Sequence, residues 1–295
     1  MDKYLVIDIG GTFIKYALMT SDVNFLDKGK INTPQDSRES LVEAIGQLFD
    51  KYEDIKMITI SMPGIIDTHN NYVIAGGALR YNDKFNLGKA LEERCGTRVI
   101  LRNDAKCAAI AEASLGALKD VKDGLVMIFG TMVGGGIIIN HEVRNGSHFS
   151  SGELSFIVCN YDDDPNFDTV IGNTISTVGL CRRYAKIKNL PFEEVNGEIV
   201  FEKYKNNDQE TIKLLDEFTK EIAVKIFNLQ TVLDLEKVAI GGGISAEPLF
   251  IEMIKKQLHR LHEVSLYYVP EVEVDVCKFR NDANLIGALQ FALKK

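Results

Sequence analysis

The chain has 295 residues, 45% of them hydrophobic and 26% charged, with 34 Lys and Arg against 42 Asp and Glu and a net charge of −8. This length suits two domains of ordinary size or one large one, and the composition affords a globular core and excludes wholesale disorder. The acidic balance, without any basic run, speaks against a broad nucleic-acid or anionic-membrane surface, and no segment reaches the ~20 apolar residues of a membrane span.

In chain order, residues 4–19 come first: an apolar strand runs into Asp8, breaks at Gly10, Gly11 and Thr12, and resumes as a second strand carrying Lys15. The glycine pair is expected to permit positive φ and close approach of another group. Backbone N–H groups and the Thr12 hydroxyl in such a turn suit phosphate oxygens, and Asp8 suits the water shell of Mg²⁺. An ordinary tight hairpin is the alternative.

A helix is expected over Leu41, Ile45, Leu48, Phe49 and Tyr52, started near Ser37 or Ser40, then a strand over 55–60 ending at Ser61-Met62-Pro63-Gly64. A strand over 98–101 hands over through Asn103 and Asp104 to an Ala-rich helix from Ala105 to Leu118. Both residues suit a helix cap, which is the plain reading of the pair.

Residues 124–129 and 136–139 repeat the opening pattern, with Gly130-Thr131-Met132-Val133-Gly134-Gly135 as the turn. The echo points to two related halves, each supplying a phosphate loop. Residues 150–207 read as irregular. Asp162-Asp163-Asp164-Pro165 is a solvated turn whose spacing does not match an EF-hand calcium loop. A long amphipathic helix follows from Ile212 to Leu233, then a strand from Lys237 to Ile240, the turn Gly241-Gly242-Gly243-Ile244-Ser245, a helix over Leu249 to Leu261, a strand over 272–277 and a closing helix from Ala283 to Leu293. Gly241, Gly243 and Ala246 fit a loose dinucleotide pattern, but no full βαβ unit with a well-placed acid follows, so the turn reads as one that admits a flat adenosine.

The cysteines (Cys95, Cys107, Cys159, Cys181 and Cys277) are odd in number and far apart, so free thiols in a reducing cytoplasm are expected rather than a disulfide framework. The N-terminal apolar run is too short and too polar for a signal peptide, which also points to the cytoplasm.

Six segments in order, residues 8–15, 61–67, 103–109, 130–138, 151–154 and 240–245, together resemble the ROK family of bacterial sugar kinases and sugar-responsive repressors. The resemblance implies an α/β, actin-like (ribonuclease H-like) sugar kinase fold: two domains around a central cleft, the first spanning 1–117 and completed by a C-terminal helix at 282–295, the second spanning 118–281. It implies that Asp8, Gly10, Gly11, Thr12 and Lys15 line one phosphate site, that Gly130, Thr131 and Gly134 line the other, and that Gly241, Gly242 and Gly243 contact adenosine. Asp104 would be the general base, and Asn103, Glu153, Gly77 and Phe156 are the candidate sugar contacts. ATP and Mg²⁺, held through water by Asp8, are the implied cofactors, and a homodimer is the implied assembly.

The chain departs from the family pattern on the anomeric side of the sugar. Ser155 and Phe156 stand where most members carry Gly-His, the zinc-binding cysteines are missing apart from Cys159, and Gly172 stands at the place of a sugar-binding Glu, so no structural zinc is expected. Phe can stack on a sugar and Gly leaves room, which points to a β-glucoside such as cellobiose phosphorylated at its 6-hydroxyl. An N-acetylmannosamine kinase or a glucokinase is the alternative, and a non-catalytic sugar-sensing regulator is the alternative from another class. No helix-turn-helix precedes the first hairpin, so no nucleic-acid partner is expected.

Overall fold

The structure, a computed structural model, describes residues 2–159, 164, 166–265 and 268–295. The chain divides into two compact units: Met1–Gly116 with Val143–Ser151 and Asn281–Lys295, and Ala117–Glu142 with Gly152–Arg280. The segment Val143–Ser151, expected within the second domain, packs with the first unit.

The first unit holds β1 (Lys3–Ile9), β2 (Phe13–Thr20), β3 (Phe25–Asn32), α1 (Arg38–Phe49), β4 (Ile55–Met62), β5 (Ile65–Asp67), β6 (Tyr72–Ala75), α2 (Leu87–Cys95), β7 (Arg98–Asn103) and α3 (Asp104–Leu115). Its main sheet has the order β3-β2-β1-β4-β7. The strand pairs β1–β2 and β2–β3 are antiparallel, whereas β1–β4 and β4–β7 are parallel. Side chains alternate across the sheet, and the two faces differ in chemistry. Leu5, Ile7, Ile9, Ile58, Ile60 and Met62 join Leu41, Ile45, Leu87 and Leu91 of α1 and α2 in one apolar core. The opposite face carries Asp8, Thr59 and Ser61 and is covered by the C-terminal helix Ala283–Leu293, where Thr59 Oγ1 donates to Ala288 O at 2.7 Å and Asn284 reaches Asp8.

The second unit repeats this plan with β8 (Gly124–Phe129), β9 (Val133–Ile139), β10 (Glu142–Val143), α4 (Ile171–Thr174), α5 (Thr177–Lys188), α6 (Gly197–Lys205), α7 (Gln209–Leu233), β11 (Lys237–Gly241), α8 (Pro248–Val264) and β12 (Glu273–Val276). The helix Ala283–Leu293 is α9. The sheet order is β10-β9-β8-β11-β12, with β8–β9 antiparallel and β8–β11 and β11–β12 parallel, which matches the first sheet strand for strand. Helix starts follow the cap chemistry: Ser37, Asn86, Asn103, Ser176, Asn196 and Asp208 each accept a bond from an N–H in the first turn.

Residues 150–207 are not irregular: α4, α5 and α6 lie within them, α5 and α6 each marked by a capping Ser or Asn. The second hairpin's turn is shorter than expected, because β9 starts at Val133, so Gly134 is a strand residue opposite Ile128. Of the proposed acidic turn, Asp162, Asp163 and Pro165 lie outside the described residues.

Candidate active site

In both sheets the glycine turns and polar residues gather at the carboxyl ends of the parallel strands, where α/β sheets bind their ligands. Asp8 lies in β1, in register with Lys15 of β2 and Ser61 of β4. The residue is 6% exposed; Oδ1 accepts from Ser61 Oγ and from Asn284 Nδ2, each at 3.0 Å, and the Lys15 ammonium stands 3.8 Å from Oδ2. Burial pushes the carboxyl above its ordinary range, and Asn284, Lys15 and Ser61 oppose that shift.

Beyond Asp8 the hairpin turns tightly, with Gly10 N–H donating to Phe13 O at 2.9 Å. The turn's carbonyls are tied back: Gly10 O accepts from Thr33 Oγ1 and Gly11 O from Gln35 Nε2, both at 2.7 Å, and Thr12 O accepts from Thr33 N at 3.0 Å. Among the described residues the N–H groups of Gly11 and Thr12 donate to nothing. Acceptors held inward and donors left outward are what an anion requires. The expected positive φ at Gly10 and Gly11 is absent. Only crowding by Phe13 O, 3.0 Å from a Cβ built at Gly10, calls for glycine in this turn.

The end of β7 carries the next residues. Asn103 Oδ1 accepts from Lys106 N at 3.0 Å, capping α3, while Nδ2 donates to Gly64 O at 2.9 Å. Gly64 has φ +105°, and a Cβ there would lie 2.0 Å from Ala75 O; Gly77 has φ +61° and packs on Pro63 and Gly64. Asn103 is therefore a clamp on two nested glycine turns as well as a cap, and Gly77 is part of the scaffold it holds. Asp104 opens α3, half-buried, with its carboxylate accepting from Ala105 N at 2.8 Å. The helix N-terminus favours the charged form of a carboxylate placed there.

In the second unit Gly130 N–H donates to Met132 O at 2.9 Å, and the N–H groups of exposed Thr131 and of Met132 donate to nothing among the described residues. Thr177 Oγ1 at the start of α5 donates to Phe129 O at 3.0 Å. Gly241 ends β11 beside Ile128, and Gly242 has φ +91° with any Cβ falling 2.0 Å from Phe129 O. A Cβ at Gly130 or Gly243, by contrast, would meet nothing within 4 Å. The adjoining ends of β8 and β11 thus present two open glycine surfaces, a cradle that suits a flat ring.

Gly152, at φ +82°, brings the chain against Gly135 of β9, and half-buried Glu153 follows it. Ser155 Oγ donates to Val133 O at 2.9 Å and accepts from Val133 N at 3.0 Å. Gly172 leaves no opening, contrary to expectation: a Cβ there would lie 2.4 Å from Met132 Cε and 2.8 Å from Ser155. Phe156 is 62% exposed and lies outside the core. No group of three or more His, Cys, Asp or Glu side chains gathers as a metal site among the described residues. Nor is any helix among them long and apolar enough to cross a membrane.

Ser61, Asn284, Thr33 and Gln35 join these turns without having stood out as site residues in the sequence. Ser61 stood inside the 61–67 motif, two residues before Pro63-Gly64; Asn284 had no local signal, because its partner lies 276 positions away.

Residues 4–295 match the family model described as ROK family. The chain is 30% identical to a β-glucoside kinase of Klebsiella pneumoniae, over 97% of this chain and 95% of that one. It is 29% identical to a β-glucoside kinase of Listeria monocytogenes, over 99% and 98%. Among solved structures it is similar to a ROK family protein from Streptococcus pneumoniae in complex with sucrose, at a TM-score of 0.89 and 26% identity, covering 99% of this chain and 98% of that chain. The likeness extends over both repeated sheets, and the fold is the actin-like α/β fold expected.

Proposed function

The chain belongs to the ROK family, and on that premise we propose that it is an ATP-dependent sugar kinase acting on the 6-hydroxyl of a β-glucoside such as cellobiose. One observation carries the kinase reading: the carboxyl edge of the first sheet holds a donor-lined turn beside buried Asp8 and, two parallel strands away, Asp104 at the start of a helix. The β-glucoside reading draws on exposed Phe156, on the two β-glucoside kinase relatives and on a disaccharide bound by the Streptococcus relative.

Phosphoryl transfer needs in-line positioning and neutralisation of oxygen charge more than covalent help. In this reading Gly11, Thr12, Thr131 and Met132 offer N–H groups to phosphate oxygens, and Gly243 and Gly130 leave space for adenosine. The donor set around Asp8 fits a hydrated cation: one carboxylate oxygen is fixed by Ser61 and Asn284, and the other has the Lys15 ammonium at 3.8 Å. Mg²⁺, when bound with the triphosphate, supplies charge neutralisation. Asp104 accepts the proton of the 6-hydroxyl as the sugar oxygen bonds to the γ-phosphorus and ADP leaves, a role worth typically ~10²–10⁴-fold. Glu153 holds sugar hydroxyls, and Phe156 offers a ring face to the substituent on the anomeric oxygen.

The test is ADP release from Mg-ATP with cellobiose, methyl β-glucoside, glucose, N-acetylmannosamine or no sugar, for the parent and for Asp104→Asn. Turnover with cellobiose over glucose is expected, falling at least ~100-fold in the variant while ATP still binds. Turnover mainly with N-acetylmannosamine overturns the β-glucoside reading and keeps the kinase. Silence with every sugar favours the sensing regulator, and undiminished turnover in Asp104→Asn removes the base role.

A further inference from the structure

Lys106 lies two residues beyond Asp104, on α3, and is 2% exposed. A buried ammonium is costly unless it is paired or hydrogen-bonded, and a Met would fill the same space without that cost. The charge is used: Nζ donates to Phe149 O at 3.1 Å. Phe149 belongs to Val143–Ser151, the strap that packs with the first unit although the chain on both sides of it belongs to the second.

The strap closes on itself, with Ser151 N–H donating to Asn145 O at 3.1 Å and Phe149 N–H to Gly146 O at 3.3 Å. Phe149 sits at φ +59°, a left-handed conformation that is uncommon for an aromatic residue and persists where surrounding contacts enforce it. Two contacts on the first unit enforce it: the Lys106 ammonium on its carbonyl, and the ring of His69 edge-on to its own ring at 5.6 Å. Gly152 alone separates the strap from Glu153.

We propose that Lys106 is a positioning residue for sugar binding, fixing through Phe149 the strap whose end sets how the chain enters the Gly152–Glu153 turn. The inference rests on the reading of Glu153 as a sugar contact. A charged donor on a half-buried carbonyl defines the strap's place more sharply than apolar packing would.

Steady-state ADP release tests it, with sugar and ATP varied separately in the full chain, for the parent, Lys106→Met, Phe149→Ala and the double variant. Lys106→Met is expected to raise the sugar KM ~10-fold or more, the scale of one charge-assisted hydrogen bond, with the ATP KM within about two-fold of the parent. Phe149→Ala is expected to raise the sugar KM as well, and the double variant to fall short of the product of the two effects, because both act through one strap. A sugar KM unchanged in Lys106→Met, or an ATP KM rising in step with it, overturns the proposal. Should Lys106→Met not fold, Phe149→Ala decides, and an unchanged sugar KM there overturns it equally. A parent silent with every sugar sinks the kinase reading and the strap's sugar role together; an active parent whose variants keep its sugar KM sinks the strap's role alone.

Discussion

At the scale of single residues the site is organised by what each carboxylate is asked to endure. Asp8 is buried among neutral donors with one ammonium at 3.8 Å, and burial raises its pKa. An acid with a raised pKa in the folded state disfavours folding once pH rises past its unfolded value. The loss develops from about pH 4, the ordinary carboxylate value, up to the raised folded value, and is complete above it. Asp8→Asn keeps an oxygen acceptor for Ser61 and Asn284 and removes the charge. Its Tm is therefore expected above the parent's at pH 7, with the gain shrinking as pH falls toward 4, while ATP turnover is lost. Thermal melts across that range check this, and a gain independent of pH contradicts it. Asp104 occupies the contrasting environment: half-buried at a helix start, where a carboxylate is favoured as the anion. Its place was legible from a strand giving way to an Ala-rich helix. The second use of Asn103, clamping Gly64, was not, because that carbonyl belongs to a loop 39 residues earlier.

At the scale of elements, glycines that look alike in sequence do different work. Gly242 is required by its own backbone, since its φ of +91° and its approach to Phe129 O exclude a side chain. Gly243 has open space. Gly242→Ala is expected to destabilise by ~1–3 kcal/mol or more, the cost of forced left-handed backbone, seen as a Tm drop of several degrees. Gly243→Ala is expected to leave Tm within about a degree and to raise the ATP KM several-fold. An ATP KM unmoved by Gly243→Ala removes this turn from the adenosine site. Strand and helix periodicity located both hairpins, α7, α8 and α9, because each buries a regular apolar face. It passed over α2, α5 and α6, which are polar on much of their surface; their capping Asn and Ser were the available signal.

At the scale of the whole molecule, each sheet repeats one strand order, and the first unit is completed by residues from the far end of the chain. Helix α9 lies so close to α3 that a Cβ at Gly287 would stand 1.7 Å from Cys107 O, and it buries Leu285, Ile286 and Leu289. Burial of three such side chains is worth ~1.5–3 kcal/mol each, comparable with the ~5–15 kcal/mol of a whole domain. A chain ended at Arg280 is therefore expected to lose hydrogen-exchange protection in β1 and β4 while β8 and β11 keep theirs. Retained protection in β1 contradicts a unit that depends on α9.

The sequence by itself determined the hairpin repeat, the order of the glycine turns and the Asn103-Asp104 handover, because each is a local pattern of alternation, turn chemistry and capping. It also carried the family, since six short motifs in order are a constraint that no single loop provides. Only the tertiary structure decided which glycines are scaffold and which face open space, that Gly172 is filled by Met132 and Ser155, and that Asp8 is held by Asn284. It alone placed the strap at Phe149 under the buried ammonium of Lys106. These are contacts between residues far apart in the chain, and a linear pattern carries no record of which distant backbone will close on which side chain.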